Sequence, residues 1–120
     1  MTAPNMLAIT SILGKTAVQA VGTSATAFLT NAANSNKVLK LTSLYVSNVK
    51  GTVAADVTID LFRSATAYEL ASTVSVPPDA TIVVVNKESP IYIEEGDSLR
   101  SLGSLANALK IVCAYEEISS

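Results

Sequence analysis

From Lys37 to Glu116 the chain alternates apolar and polar residues in short runs bounded by turn residues, the period expected of strands with one face in a core and one in water. Lys37–Val49 reads as a long strand closed by the turn Asn48-Val49-Lys50-Gly51, and Ala55–Phe62 as its neighbour. In the second of these, Val57, Ile59 and Leu61 point one way and Asp56, Thr58 and Asp60 the other. Tyr68–Val76 follows, with Leu70, Ser72, Val74 and Val76 on one side, and Pro77-Pro78-Asp79 ends it because proline supplies no ladder donor. Ile91–Ile93, Ser98–Leu102 and Leu109–Tyr115 complete the body; Glu94-Glu95-Gly96-Asp97 forms a turn, and Leu109, Ile111, Cys113 and Tyr115 share a face.

One run breaks the alternation. Thr81-Ile82-Val83-Val84-Val85 is aliphatic on both faces, so its second face needs a cover, either the first third of the chain or a neighbouring subunit. In that first third, Met6–Leu13 is apolar enough for a strand that Gly14 breaks, and Thr16–Val21 and Ala25–Thr30 follow as short strands around Gly22-Thr23-Ser24. A helical turn over Ala17–Ala20 stays open. Asn31–Asn36 is a loop of residues that tolerate left-handed backbone angles. The arithmetic gives seven or eight strands near ten-residue spacing: an all-β, single-domain antiparallel β-sandwich, jelly-roll-like. Residues 1–36 form an N-terminal arm with the first short strands, and residues 37–120 the sandwich body.

Composition supports this class. Ala, Ser and Thr fill 43 of the 120 positions, and charged residues make up only 15%, usage that suits packed strands better than a helical bundle. A net charge of −2 without clustered Lys and Arg argues against direct nucleic-acid binding. The uncharged run Thr16–Asn36 carries too many polar groups for a membrane helix, and Met1–Asn5 lacks a signal-peptide pattern, so the N-terminus is expected to be kept and the protein to be made in the cytoplasm.

The chemistry of catalysis is thin. With no His there is no ordinary triad, and Ser64 and Ser98 have no activating partner, so no catalytic, cofactor or metal residue is expected and the chain reads as non-enzymatic. The turn at Glu94–Asp97 lacks the spacing of a calcium loop and reads as a solvated hairpin turn. Asp56 and Asp60 are better explained as carboxylates that keep the outer face soluble than as an acid/base pair, and Tyr45, Tyr68, Tyr92 and Tyr115 as core or interface packing residues than as a sugar platform. Cys113, with no second cysteine, reads as a buried thiol. Arg63 and Arg100, the only arginines, each near a strand end, are either locally bonded or anchors for a partner's carboxylate.

Four stretches carry a family resemblance: Leu41–Asn48, Ala54–Ser64, Ile91–Arg100 and Cys113–Ile118. They resemble small virion structural proteins of tailed bacteriophages, including marine and cyanobacterial phages, over roughly residues 5–119. The resemblance implies a β-sandwich attached in many copies to a shell or tube, often as a trimer or ring. Arg100–Leu105 is more apolar than the family pattern, which suggests a contact surface. The expected function is a capsid decoration, or cement, protein of the virion that binds the major capsid protein or another virion protein. A tail or neck ring component and a carbohydrate-binding module of a host-recognition fibre are the alternatives. Residues 6–29 would be the docking arm, and the expected interface comprises Met6, Leu7, Ile9, Ile12, Leu13, Arg63, Val83, Val85, Arg100 and Leu102. A homo-oligomer is expected, with a trimer favoured.

Overall fold

A computed structural model describes residue 5 and residues 7–119. Nine strands occur among them: β1 (Ser11–Ala20), β2 (Thr26–Thr30), β3 (Lys37–Asn48), β4 (Ala55–Arg63), β5 (Thr66–Val76), β6 (Thr81–Val85), β7 (Ile91–Ile93), β8 (Ser98–Gly103) and β9 (Leu109–Ser119). They form two antiparallel sheets. One has the order β1-β9-β3-β6, with β7 also pairing to β3, and the other the order β2-β8-β4-β5. The all-β sandwich expected from the alternation is the fold of the chain.

The pairing is nested. β4 pairs with β5, β3 with β6 and β7, β2 with β8, and β1 with β9. Successive pairs fall in alternate sheets, so the chain is a long antiparallel hairpin rolled into two layers. The inner faces meet in one core whose fully enclosed members include Leu41, Leu44 and Ile111 from the first sheet and Val57, Ile59 and Leu99 from the second. Burying each such side chain contributes roughly 1.5–3 kcal/mol, which repays the ordering of a chain with few charges.

Two buried asparagines hold the loops to this core. The Asn31 amide donates to the carbonyls of Lys37 and Ile93, and the Asn48 amide to those of Val53 and Val76. Each side chain also accepts one bond, from the Ser35 hydroxyl and the Lys50 N–H respectively, so their burial costs little. Asn34 and Asn36 adopt the left-handed backbone that the loop composition anticipates.

The first third departs from expectation. Gly14 does not break a strand: β1 runs unbroken from Ser11 to Ala20, because ten consecutive residues find partners on β9 and a glycine keeps its ladder groups. No helical turn forms at Ala17–Ala20. Residues 11–20 and 26–30 are edge strands of the two sheets, so the expectation of a docking arm over residues 6–29 is corrected for both segments. In β5 two register shifts set Val74 against Val57 and Ala71 against Ile59, which removes the simple Leu70-Ser72-Val74-Val76 face. No helix among the described residues is long and apolar enough to cross a membrane.

Candidate functional site

The outer face of the four-stranded sheet is chemically closed. Asp60 on β4 and Arg100 on β8 lie directly opposite each other, 40 residues apart in sequence, and the guanidinium binds the carboxylate with both Nε (2.9 Å) and Nη2 (3.1 Å). The same guanidinium stacks 4.0 Å from the centre of the Phe62 ring. Hydrogen bonding to Asp60 raises the Arg100 pKa above its ordinary value. Asp60 is therefore buried beneath its partner rather than on the wet surface expected for it. Arg100 stands in mid-strand, and its fork is engaged within the chain.

Arg63 ends β4 over the turn between β7 and β8. Its Nε donates to Asp97 Oδ1 at 2.8 Å, and its Nη2 pairs with both Asp97 and Glu94. The Asp97 hydrogen bond, the strongest influence, holds this guanidinium charged well above the usual range. With Ser64, Glu95 and Gly96 these residues line a cleft of about 370 Å³. Glu95 accepts the Asn36 N–H at 2.9 Å, while its other carboxylate oxygen is buried without a partner among the described residues. No three His, Cys, Asp or Glu side chains among the described residues converge as a metal site would require. The cleft works as a tie between the end of β4 and the following turn.

The outer face of the five-stranded sheet is different. Val18 on β1 lies opposite Val112 on β9, Val112 opposite Tyr45 on β3, and Tyr45 opposite Val83 on β6. These four side chains form one apolar row across all four strands of the path, about 15 Å long at ordinary strand spacing. They are 71%, 41%, 42% and 55% exposed. Thr16, Ala114 and Ser43 flank the row on one side, and on the other the exposed Lys110 stands between Ala20 and Ser47, so a single cation borders the apolar row.

The expected interface residues scatter. Val83 joins the row, but Val85 does not: a register shift between Leu44 and Tyr45 turns it inward opposite Leu44, and it is buried in the core. That shift resolves the two-faced aliphatic run, since Ile82, Val84 and Val85 pack against the core and only Val83 faces out. Ile12 and Leu13 are exposed on β1, Leu7 is exposed ahead of it, Ile9 is half-buried, and Met6 lies outside the described residues. Leu102 is half-buried opposite Thr58, away from the row. Val18, Tyr45 and Val112 were not among the expected interface residues; an exposed apolar residue at an outward strand position was the signal for each.

Tyr68 and Tyr92 are exposed on different sheets and form no common platform, and Tyr115 packs against the core. Cys113 is buried, and its burial pushes the thiol pKa up against a smaller opposing effect of the Ala17 backbone. No known protein family matches the chain, and no characterised protein matches it in sequence.

Proposed function

We propose that this chain is a non-enzymatic structural subunit of a bacteriophage particle, a capsid decoration protein that attaches through the outer face of its five-stranded sheet. The observation that carries the reading is the in-register row Val18, Val112, Tyr45 and Val83, an apolar surface that nothing among the described residues covers. An exposed contiguous apolar patch marks an interaction site more often than it marks idle surface. The nested pairing supports the same reading. With β6 and β7 taken as one interrupted strand, the orders of the two sheets support a jelly-roll-like reading, a fold used by viral capsid domains. The resemblance of its strand-and-turn texture to small phage virion proteins suggests the particle, with no sequence match beside it.

Attachment by a short apolar row requires many copies, because each contact is modest and the shell's symmetry multiplies it. The partner is the major capsid protein, and the location is the outside of the virion. The test is electron cryo-microscopy of the particle carrying this protein. Density bridging capsid subunits, with the Tyr45 face toward the shell, is the expected result. Density on the tail or neck, or none on the particle, would overturn it. A Tyr45→Glu, Val112→Glu variant is expected to fold and to fail to attach.

A further inference from the structure

The sandwich has four kinds of strand edge, and three of them are blunted. β2 is five residues long with a register shift, β5 carries two register shifts and a positive-φ residue at Thr73, and β6 and β7 are five and three residues long. Short length and bulges are how sheets avoid pairing with other chains. β1 has neither device. It is ten residues long, runs in unbroken register on β9, contains no proline and carries Lys15 as its single charge.

We infer that β1 is a self-association edge: two copies of this chain pair β1 antiparallel to β1, across a two-fold axis at Thr16, into one continuous sheet. The inference stands on the edge alone and holds whether or not the particle assignment does.

The register follows from the ladder. Val21 donates to the Leu109 carbonyl in line with the β1–β9 pairing. Antiparallel ladders alternate, so Ser11, Leu13, Lys15, Ala17 and Gln19 spend their backbone groups on β9, while Ile12, Gly14, Thr16, Val18 and Ala20 turn theirs to the open edge. A second β1 must present the same five residues. Placing Thr16 opposite Thr16 of the second copy pairs all of them and makes about ten inter-chain hydrogen bonds.

That register also matches side chains by size. On the outer face Val18 falls opposite Gly14 of the second copy and Ile12 opposite Ala20, so each of these two large, exposed residues meets a small one, while Leu13 on the other face falls opposite Gln19. A Cβ added at Gly14 would meet nothing within 4 Å, which leaves room for the incoming valine. Lys15 falls opposite Ala17 and keeps its 3.3 Å pair with Glu117. Sliding two residues one way sets Lys15 against Lys15; sliding two the other way leaves Ile12 unpaired. A one-residue slip puts opposing side chains on different faces.

Because the axis stands perpendicular to the sheet, both outer faces look the same way. The dimer carries two apolar rows side by side on one surface. Any partner that binds one row can engage both.

The test combines sedimentation and crosslinking on the full chain. Wild type is expected to pass from the 12.4 kDa monomer to a dimer as concentration rises. Val18→Lys should raise the dimer dissociation constant at least about tenfold with an unchanged circular dichroism spectrum. On mild oxidation Thr16→Cys should form an inter-chain disulfide, and Val83→Cys, on the same face at the opposite edge, should not. Monomer at every concentration, a trimer, dimerisation unaffected by Val18→Lys, or equal crosslinking at both positions would each overturn the inference.

Discussion

The two outer faces of the sandwich arise from the same alternation and end in opposite conditions. On the four-stranded sheet, Arg100 covers both the Asp60 carboxylate and the Phe62 ring, so its largest outward groups satisfy one another. On the five-stranded sheet, the outward positions of β1, β9, β3 and β6 hold valines and a tyrosine whose neighbours are small residues and Lys110, none of which covers them. Alternation fixes which residues point away from the core. Whether that face is finished depends on what stands beside each residue across the strands.

If the inner faces are equivalent and only the outer ones differ, core truncations should cost the same from either sheet. Ile59→Ala on β4 and Leu44→Ala on β3 are each expected to destabilise by about 2–5 kcal/mol in urea unfolding; a large, reproducible gap between them would mean that one sheet dominates the fold. The closed outer face comes next. Arg100→Leu should lower the urea midpoint more than Arg100→Leu combined with Asp60→Leu, because the single change strands a buried carboxylate and the double change removes it. Equal midpoints would show that the pair is ordinary surface.

Within the core of the five-stranded sheet, Cys113 adds a pH dependence. Its folded-state pKa is raised, so the unfolded chain loses the thiol proton first, and stability falls as pH rises above about 8.5, by up to about 1.4 kcal/mol per pH unit until the folded thiol titrates. Comparing the alkaline slopes of wild type and Cys113→Ala isolates this effect from the tyrosines and lysines. The smallest change is expected on the open face. Val112→Thr and Tyr45→Ser should shift stability by no more than about 0.5 kcal/mol while reducing binding of a hydrophobic dye to the native protein. A large loss of stability would mean that the row is part of the fold rather than a surface.

Most strands from β3 onward were legible because Val57, Ile59 and Leu61 and their equivalents carry a clear two-residue period. The asparagine loop was legible from its composition, and Arg63 and Arg100 drew notice by being the only arginines. Their partners were hidden, since Asp60 and Arg100 meet only through the β8–β4 pairing, and nothing local encodes which strands become neighbours. The apolar row was hidden for the same reason: its members come from four strands and align only once register is set. Gly14 misled because a glycine in an alternating run reads as a break, whereas partner strand β9 supplies the order that β1 lacks on its own.

The position of β9 has a consequence for synthesis. The last strand lies between β1 and β3, so the five-stranded sheet has no middle until residues 109–119 have left the ribosome. The nascent chain can close the β4–β5 hairpin early, but it must hold β1 and β3 unpaired with β9 for most of its translation. Pairings of such sequence separation form slowly. The complete five-stranded sheet therefore forms only after residue 119 has emerged, and a chain stalled before residue 109 exposes two unsatisfied strands to its neighbours on the same message.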